Sequence, residues 1–276
     1  MPKFPIRRRL LIASLASPLI AAVSGRASAA PVQADLAADL QTGRILARHS
    51  ADTPVHPASL AKLMTLHLAF TALETGAATP DTPVMFSARA AARPNTRLGL
   101  AEGSSIRLGD AVFALAVHSC NDVATAVAEL LGGSEERFAA MMNTHAAALG
   151  LARTHFANAS GLPDPANRST ARELVLLGVS LMARHPQSLG CLGTASWTYA
   201  GKTYRNTSGL LPSYPGMDVA KTGYTAQSGF NLFASASRGG RRVAACVTGG
   251  VTAAARDARM AALLDAALGT DGQGAG

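Results

Sequence analysis

The chain predicts an α/β fold of the α+β kind: one antiparallel sheet flanked by helices, beside a mainly helical lobe. Three observations carry that expectation. Strand-like segments stand at both ends, at residues 34–49 and from 197 onward. Between them, residues 62 to about 190 are dominated by alanine-rich segments with helical spacing. The 276 residues are 48% hydrophobic and only 15% charged, enough apolar material for one large domain or two lobes. The low charge and the 5% aromatic content argue against a disordered chain or a base-stacking RNA binder.

Taken in order, Ala34 to Leu40 and Arg44 to His49 read as a hairpin around Gln41-Thr42-Gly43. Pro54 and Pro57 stop the strand, and a helix starts near Ser59. Its apolar set, Leu60, Leu63, Met64, Leu68 and Phe70, covers most sides, as in a buried helix. Further helices are expected at Asp110 to Val117, Asp122 to Leu131, Glu135 to Leu149 and Thr170 to Arg184, with Gly132-Gly133 and Gly150 as stops. Asn158 to Asn167, rich in Asn, Gly and Pro, reads as an irregular loop. Trp197 to Tyr204, Val219 to Thr225, Asn231 to Ser237 and Arg242 to Thr248 read as strands, with a tight turn at Gly239-Gly240, and Ala253 to Leu268 as a closing helix. The two sheet regions, about 30–58 and 195–268, can then join into one sheet. The block 62–190 stands as a separate lobe, with a cleft between. The glycine-rich end, 269–276, is expected to fray.

The N-terminus reads as an address rather than as fold. Lys3, Arg7, Arg8 and Arg9 precede an apolar stretch, Leu10 to Val23, and Ala27-Ser28-Ala29 supplies small residues for cleavage after Ala29. A retained anchor is the rival reading; the stretch is short of a full span and is diluted by Ser14, Pro18, Ser24 and Gly25. The arginine run also fits a twin-arginine signal. Periplasmic export follows, by either route. Residues 1–29 hold five basic and no acidic residues, so the formal charge of +8 falls to +3, with 20 basic against 17 acidic residues. Nothing in that balance calls for nucleic acid. Three cysteines cannot all pair within one chain, and their spacing does not suit a metal site. Cys246 reads as core, a Cys120–Cys191 disulfide is an open alternative, and no histidine pattern marks Cys120 as a nucleophile.

Three short segments carry chemistry. Ser59 and Lys62 lie three apart at a helix start, so both side chains share one face. Free N–H groups there suit an oxyanion, and burial of the lysine would favour a neutral amine able to take the serine proton. Alone this pair is weak, since Ser-x-x-Lys occurs about once by chance in a chain of this size. Ser119-Cys120-Asn121 lies between two helices. Its hydroxyl and amide can relay a proton and hold substrate, or Ser119 or Asn121 can simply cap the next helix. Lys221-Thr222-Gly223 lies on an expected strand. A second cation there would keep Lys62 neutral and attract a carboxylate, Thr222 can bond that carboxylate, Gly223 permits close backbone approach, and the Tyr224 N–H can complete an oxyanion hole. The bland alternative is a turn with a solvated lysine. The three segments are 60 and 102 residues apart, room for a helical insertion and a return to the sheet.

In this order the segments match the serine-x-x-lysine, serine-x-asparagine and lysine-threonine-glycine set of penicillin-binding proteins and class A β-lactamases. The chain resembles the serine D-alanyl-D-alanine carboxypeptidases, the low-molecular-mass penicillin-binding proteins. The likeness extends over Pro57 to Thr65, Asn158 to Asp164, Ser169 to Leu174, Asn206 to Leu211, Tyr214 to Gly216 and Lys221 to Thr225, about residues 35 to 265 in all. The resemblance implies a β-lactamase/transpeptidase-like fold, with Ser59 acylated, Lys62 as general base, and Ser119 and Asn121 completing the network. Lys221 and Thr222 would bind the terminal carboxylate, supported by Arg256 on the last helix. It implies no cofactor and no metal, with peptidoglycan stem peptides as substrate and β-lactams as inhibitors. Cys120 departs from the small residue usual at its place. The family's β-rich C-terminal domain and membrane anchor are not evident, so a soluble periplasmic enzyme, or one held by partners, is expected.

Rival activities remain at this level. A D,D-endopeptidase on crosslinks would use the same chemistry. A class A β-lactamase needs a glutamate after the second segment, yet the only acid between Glu136 and Glu173 is Asp164, and Glu173 lacks the lactamase context. A non-catalytic sensor of peptidoglycan or β-lactams is disfavoured by the presence of every motif residue.

Overall fold

The computed structural model describes residues 31–269; the expected signal peptide, residues 1–29, and residues 270–276 of the expected tail lie outside them. The two ends of the described chain do meet in one sheet. Strands β1 (Ala34–Asp39), β2 (Ile45–His49), β7 (Met217–Thr225), β8 (Gly229–Arg238) and β9 (Arg241–Gly250) form an antiparallel sheet in the order β2-β1-β9-β8-β7. The β8–β9 turn at Gly239-Gly240 has φ of 56° and 79°, the double left-handed geometry that a two-residue hairpin demands and that glycine supplies.

Alternation along the strands sorts side chains to two faces. Leu232, Ala234, Val243, Ala245 and Val247 pack against Met260 and Leu264 of the C-terminal helix α7 (Ala253–Leu268). Leu36, Phe233, Ala244 and Cys246 face the larger core, which holds Leu174, Val175 and Leu177 of α6 (Ala171–Arg184). Helix α6 therefore covers the sheet, although its place in the chain puts it within the expected helical lobe of 62–190. It lies close because Gly178 has no side chain: a Cβ there would stand 2.1 Å from Cζ of Phe233.

The helical lobe contains α1 (Lys62–Glu74), α2 (Ala88–Ala91), α3 (Leu108–Phe113), α4 (Asn121–Gly132) and α5 (Glu135–Ala148). A small ribbon of β3 (Pro83–Met85) and β4 (Ser105–Arg107) accompanies them; strands of three residues leave no period to read in a sequence. The segment expected as one strand at 197–204 folds instead as a separate hairpin, β5 (Ser196–Tyr199) and β6 (Lys202–Arg205), turning at Ala200-Gly201. It packs on the helical lobe rather than joining the main sheet: Trp197 stacks on Phe113 and Tyr204 lies against His118. Its aromatic positions read as one continuous run because the turn carries a single glycine, Gly201 at φ 78°, and an isolated glycine also occurs inside strands.

Cys120, Cys191 and Cys246 are all buried and free, so the Cys120–Cys191 disulfide is not formed, while Cys246 sits in the core as expected. Among the described residues, no helix is long and apolar enough to cross a membrane.

The contact between α6 and the sheet can be tested directly. Gly178→Ala forces Phe233 to move and should destabilise the protein by about 1–3 kcal/mol in urea unfolding. Adding Phe233→Leu should restore part of that loss.

Candidate active site

Ser59 stands in a 3₁₀ turn, Ala58–Ala61, that precedes α1, so the α-helix proper begins at Lys62. The turn is fixed from two sides. Asn231 of β8 donates to the carbonyls of His56 and Pro57 at 3.0 and 3.2 Å and accepts from the Gly249 amide at 3.0 Å. On the other side, Ala58 is held at φ 49° with its carbonyl against Gly161, where a Cβ would come within 1.8 Å of that oxygen. A side chain at Gly161 would expel the nucleophile turn from its seat.

Helix α3 runs into a wide π turn, Ala114–His118, that ends at Ser119 in the left-handed region, φ 64° and ψ 35°. The chain reverses there and α4 starts at Asn121. Cys120 occupies the cap position and no side chain caps this helix, so neither Ser119 nor Asn121 plays the ordinary capping role. Both side chains turn toward lysines instead.

Those lysines organise the site. Lys62 Nζ lies 3.1 Å from Ser59 Oγ, 2.7 Å from Asn121 Oδ1 and 2.7 Å from the Ser160 carbonyl oxygen. Lys221 Nζ donates to Ser119 Oγ at 2.9 Å and to the Thr222 carbonyl at 3.1 Å. Both side chains are fully buried. Burial, reinforced by the neighbouring Lys221, holds the Lys62 amine well below the usual lysine range. Burial pulls Lys221 down to about 7. A neutral amine has two protons and one lone pair. With its protons given to Asn121 and Ser160, Lys62 presents the lone pair to the Ser59 hydroxyl, which then donates to it.

Strand β7 forms a free edge of the sheet beside this cluster. Gly223 approaches so closely that a Cβ would lie 3.0 Å from both the Ser59 nitrogen and the Pro57 oxygen. Thr222 donates to Thr207 Oγ1 at 2.6 Å, and Tyr224, 55% exposed, rests its ring on Phe230. Arg256 enters from α7, buried, with Nε donating to Asp257 at 2.8 Å and Nη1 to the Asn231 carbonyl at 3.4 Å. Ser59, Ser119, Asn121, Thr222, Gly223, Tyr224 and Arg256 all line one cleft of about 670 Å³, with Lys62 and Lys221 buried behind them.

The described residues lining this cleft include no acid. Asp164 accepts from the Ala166 amide within its own loop, and Glu173 accepts from Arg153 N–H and the Thr154 hydroxyl. Cys120 is buried, and that burial pushes its thiol up to about 12, which leaves it protonated and unreactive. Among the described residues, no group of three or more His, Cys, Asp or Glu side chains is placed to hold a metal ion.

Sequence reasoning assigned no part to three contributors. The Ser160 carbonyl acts through the main chain, which residue type cannot reveal. Thr207 stands in a segment recognised only as a likeness. Asn231 offered a signal, a strand-disfavoured amide in an apolar strand.

The fold and site together are those of the penicillin-binding-protein structural class, in which a serine and a lysine share one turn. More narrowly, the chain belongs to the D-alanyl-D-alanine carboxypeptidase family, peptidase S11, whose model matches residues 23–252. It is 35% identical over 233 residues to D-alanyl-D-alanine carboxypeptidase DacD of Escherichia coli K12, covering 82% of this chain and 60% of that relative. The chain thus spans about three fifths of that relative's length. Among solved structures it is similar to the D-alanyl-D-alanine carboxypeptidase DacD from Francisella tularensis, with TM-score 0.82 and 27% identity, covering 87% of this chain and 70% of that one. It is also similar to penicillin-binding protein D2 from Listeria monocytogenes in its cefotaxime-bound form, with TM-score 0.78 and 28% identity, over 86% of this chain and 96% of that one.

The depressed Lys221 amine has a stability consequence with a definite sign. Between pH 7 and 10.5 the unfolded chain binds a proton at this lysine that the folded chain does not, so stability rises with pH across that window. Lys221→Met should therefore stabilise the protein most at pH 7 or below and progressively less toward pH 10, measured as the difference in urea midpoint between variant and parent.

Proposed function

We propose that this chain is a serine D-alanyl-D-alanine carboxypeptidase that removes the terminal D-Ala of peptidoglycan pentapeptides through a Ser59 acyl-enzyme, and that β-lactams acylate the same serine. One observation carries the reading: a buried lysine amine oriented by two carbonyl oxygens toward a serine that opens on a cleft. The family and the relatives' names support the substrate class. The Listeria relative with bound cefotaxime supports β-lactams as ligands.

In this mechanism the peptide lies along the free edge of β7, its terminal carboxylate toward Lys221, Thr222 and Arg256. Ser59 Oγ attacks the carbonyl of the penultimate residue while Lys62 takes the hydroxyl proton. The oxyanion develops beside the Ser59 and Tyr224 amides. The C–N bond breaks, and the proton held by Lys62 passes through Ser119 to the leaving amine of D-Ala. Water then attacks the ester, Lys62 accepts its proton, and Ser59 is released with the shortened peptide. A β-lactam acylates the same serine oxygen, but its leaving amine stays tethered to the acyl group and keeps the place beside Lys62 that departing D-Ala leaves open to water. With no carboxylate lining the cleft to activate water from another side, that ester should persist, which separates this reading from a class A β-lactamase. The basic and apolar N-terminal segment supports export to the periplasm, where peptidoglycan is found.

Labelling with a fluorescent penicillin and release of D-Ala from a pentapeptide should both fall to background in Ser59→Ala. A parent protein that releases no D-Ala would sink the carboxypeptidase reading, and cleavage of crosslinked dimers alone would move it to an endopeptidase. Benzylpenicillin should give one equivalent of stable adduct by mass spectrometry; rapid multiple turnover would contradict the account of deacylation.

A further inference from the structure

One buried carboxylate near the site takes no part in the chemistry above. Glu135, the first residue of α5, is 1% exposed and does not line the cleft. Its Oε2 accepts from the Arg93 guanidinium and from Arg89 at 3.1 Å. Its Oε1 accepts from the Thr125 hydroxyl of α4 at 3.3 Å and from the Ala159 amide at 3.4 Å. Arg93 Nε closes the network on Thr125 Oγ1 at 2.9 Å. Glu129 and Glu136 face Arg89 from outside, and Arg89 pairs with Glu136.

The neighbours of these bonded groups hold the general base. Pro94, next to Arg93, accepts from Asn121 Nδ2 at 3.1 Å, so the Asn121 amide is fixed with Oδ1 toward Lys62. Ser160, next to Ala159, is the second acceptor of the Lys62 amine, and the Ala159 carbonyl takes the Thr65 hydroxyl of α1 at 2.7 Å. Two separate loops therefore converge on the Lys62 amine, and one carboxylate bonds both. An isolated carboxylate at this burial would cost far more than any neutral residue of its shape, and four donors from four segments offset that cost.

We propose that Glu135 is a positioning residue for Lys62: by joining Arg93 to the Ala159 amide, it sets the Asn121 and Ser160 oxygens that aim the amine at Ser59. This rests on the reading that Lys62 takes the Ser59 proton. A group that only tied α5 to α4 would change stability and leave the chemical step alone. A group that aims the base changes the limiting rate of acylation and leaves ligand affinity alone.

The test is the rate of acylation of the full chain by benzylpenicillin over a range of concentrations, which separates the limiting rate from the half-saturating concentration. Glu135→Gln should lower the limiting rate about ten- to a hundredfold, with half-saturation within about twofold of the parent. Glu136→Gln, an exposed neighbour, should change neither. Thr125→Val removes one hydroxyl of the network and should lower the limiting rate in the same direction by a smaller factor. It carries the test if Glu135→Gln loses its folded circular dichroism signal. A normal limiting rate in the folded variant, or a loss that lies wholly in half-saturation, overturns the inference while the Lys62 reading stands. A parent that is not acylated at Ser59 overturns both.

Discussion

A primary amine buried without a carboxylate against it is an unfavourable thing to fold around, and the architecture follows from that constraint. Lys62 is fully buried, with two carbonyl oxygens and a serine hydroxyl within hydrogen-bonding distance and, among the described residues, no ion pair. Desolvation favours the neutral form, and the second buried lysine 102 residues after Ser119 reinforces it. The three oxygens come from three places: the 3₁₀ turn before α1, the start of α4 and the loop after Phe156. Loss of any one seat would leave one of the three hydrogen-bonding positions of a fully buried amine unfilled.

Backbone strain collects around the same point. Ala58 and Ser119 both stand at positive φ without being glycine, each costing on the order of 1 kcal/mol. Both flank groups that must face the amine. Gly161 and Gly223 are the counterpart: each lets a strand or loop press its backbone against the nucleophile turn where a methyl group would not fit. The sheet supplies the rigidity that makes this tolerable. Asn231 reaches from β8 to two carbonyls before Ser59, so the nucleophile is tied to a central strand rather than to its own helix alone.

The fold class and the motif positions were legible because both rest on local signals. Period and punctuation marked the outer strands, the long helices and the Gly239-Gly240 turn, and residue type marked Ser59, Lys62, Asn121 and Lys221. Three kinds of feature were illegible. A helix does not announce what it packs on: α6, grouped by chain position with the block 62–190, meets α1 through His67 and Ser180 and also covers the sheet, and only Gly178, a helix-disfavoured residue facing Phe233, hinted at that close approach. A hairpin whose two-residue turn holds only one glycine, Gly201, between similar threonine and tyrosine residues looks like one strand, which hid the β5–β6 hairpin. Main-chain acceptors carry no residue signature, which hid Ser160. The capping reading of Ser119 and Asn121 was locally the stronger one, and it failed because tertiary lysines outcompete a helix terminus for those side chains.

The two lysines also explain how one cleft can hold a base and a cation at neutral pH. Burial pulls Lys221 down to about 7, so near neutral pH its charged and neutral forms are closely balanced. On the proposed function, a terminal carboxylate entering beside Lys221 and Arg256 favours the protonated form of Lys221. At Lys62 the carboxylate's negative charge and the proton it draws onto Lys221 oppose each other, and the depression of Lys62 rests first on burial and only then on repulsion from Lys221. Burial therefore keeps the Lys62 amine neutral with the cleft open or occupied. The two roles stay apart because the two amines reach different partners: Lys62 faces Ser59, Asn121 and Ser160, whereas Lys221 faces Ser119 and Thr222. Base and cation are thus separated by geometry, with residues that the burial of Lys62 had already drawn together.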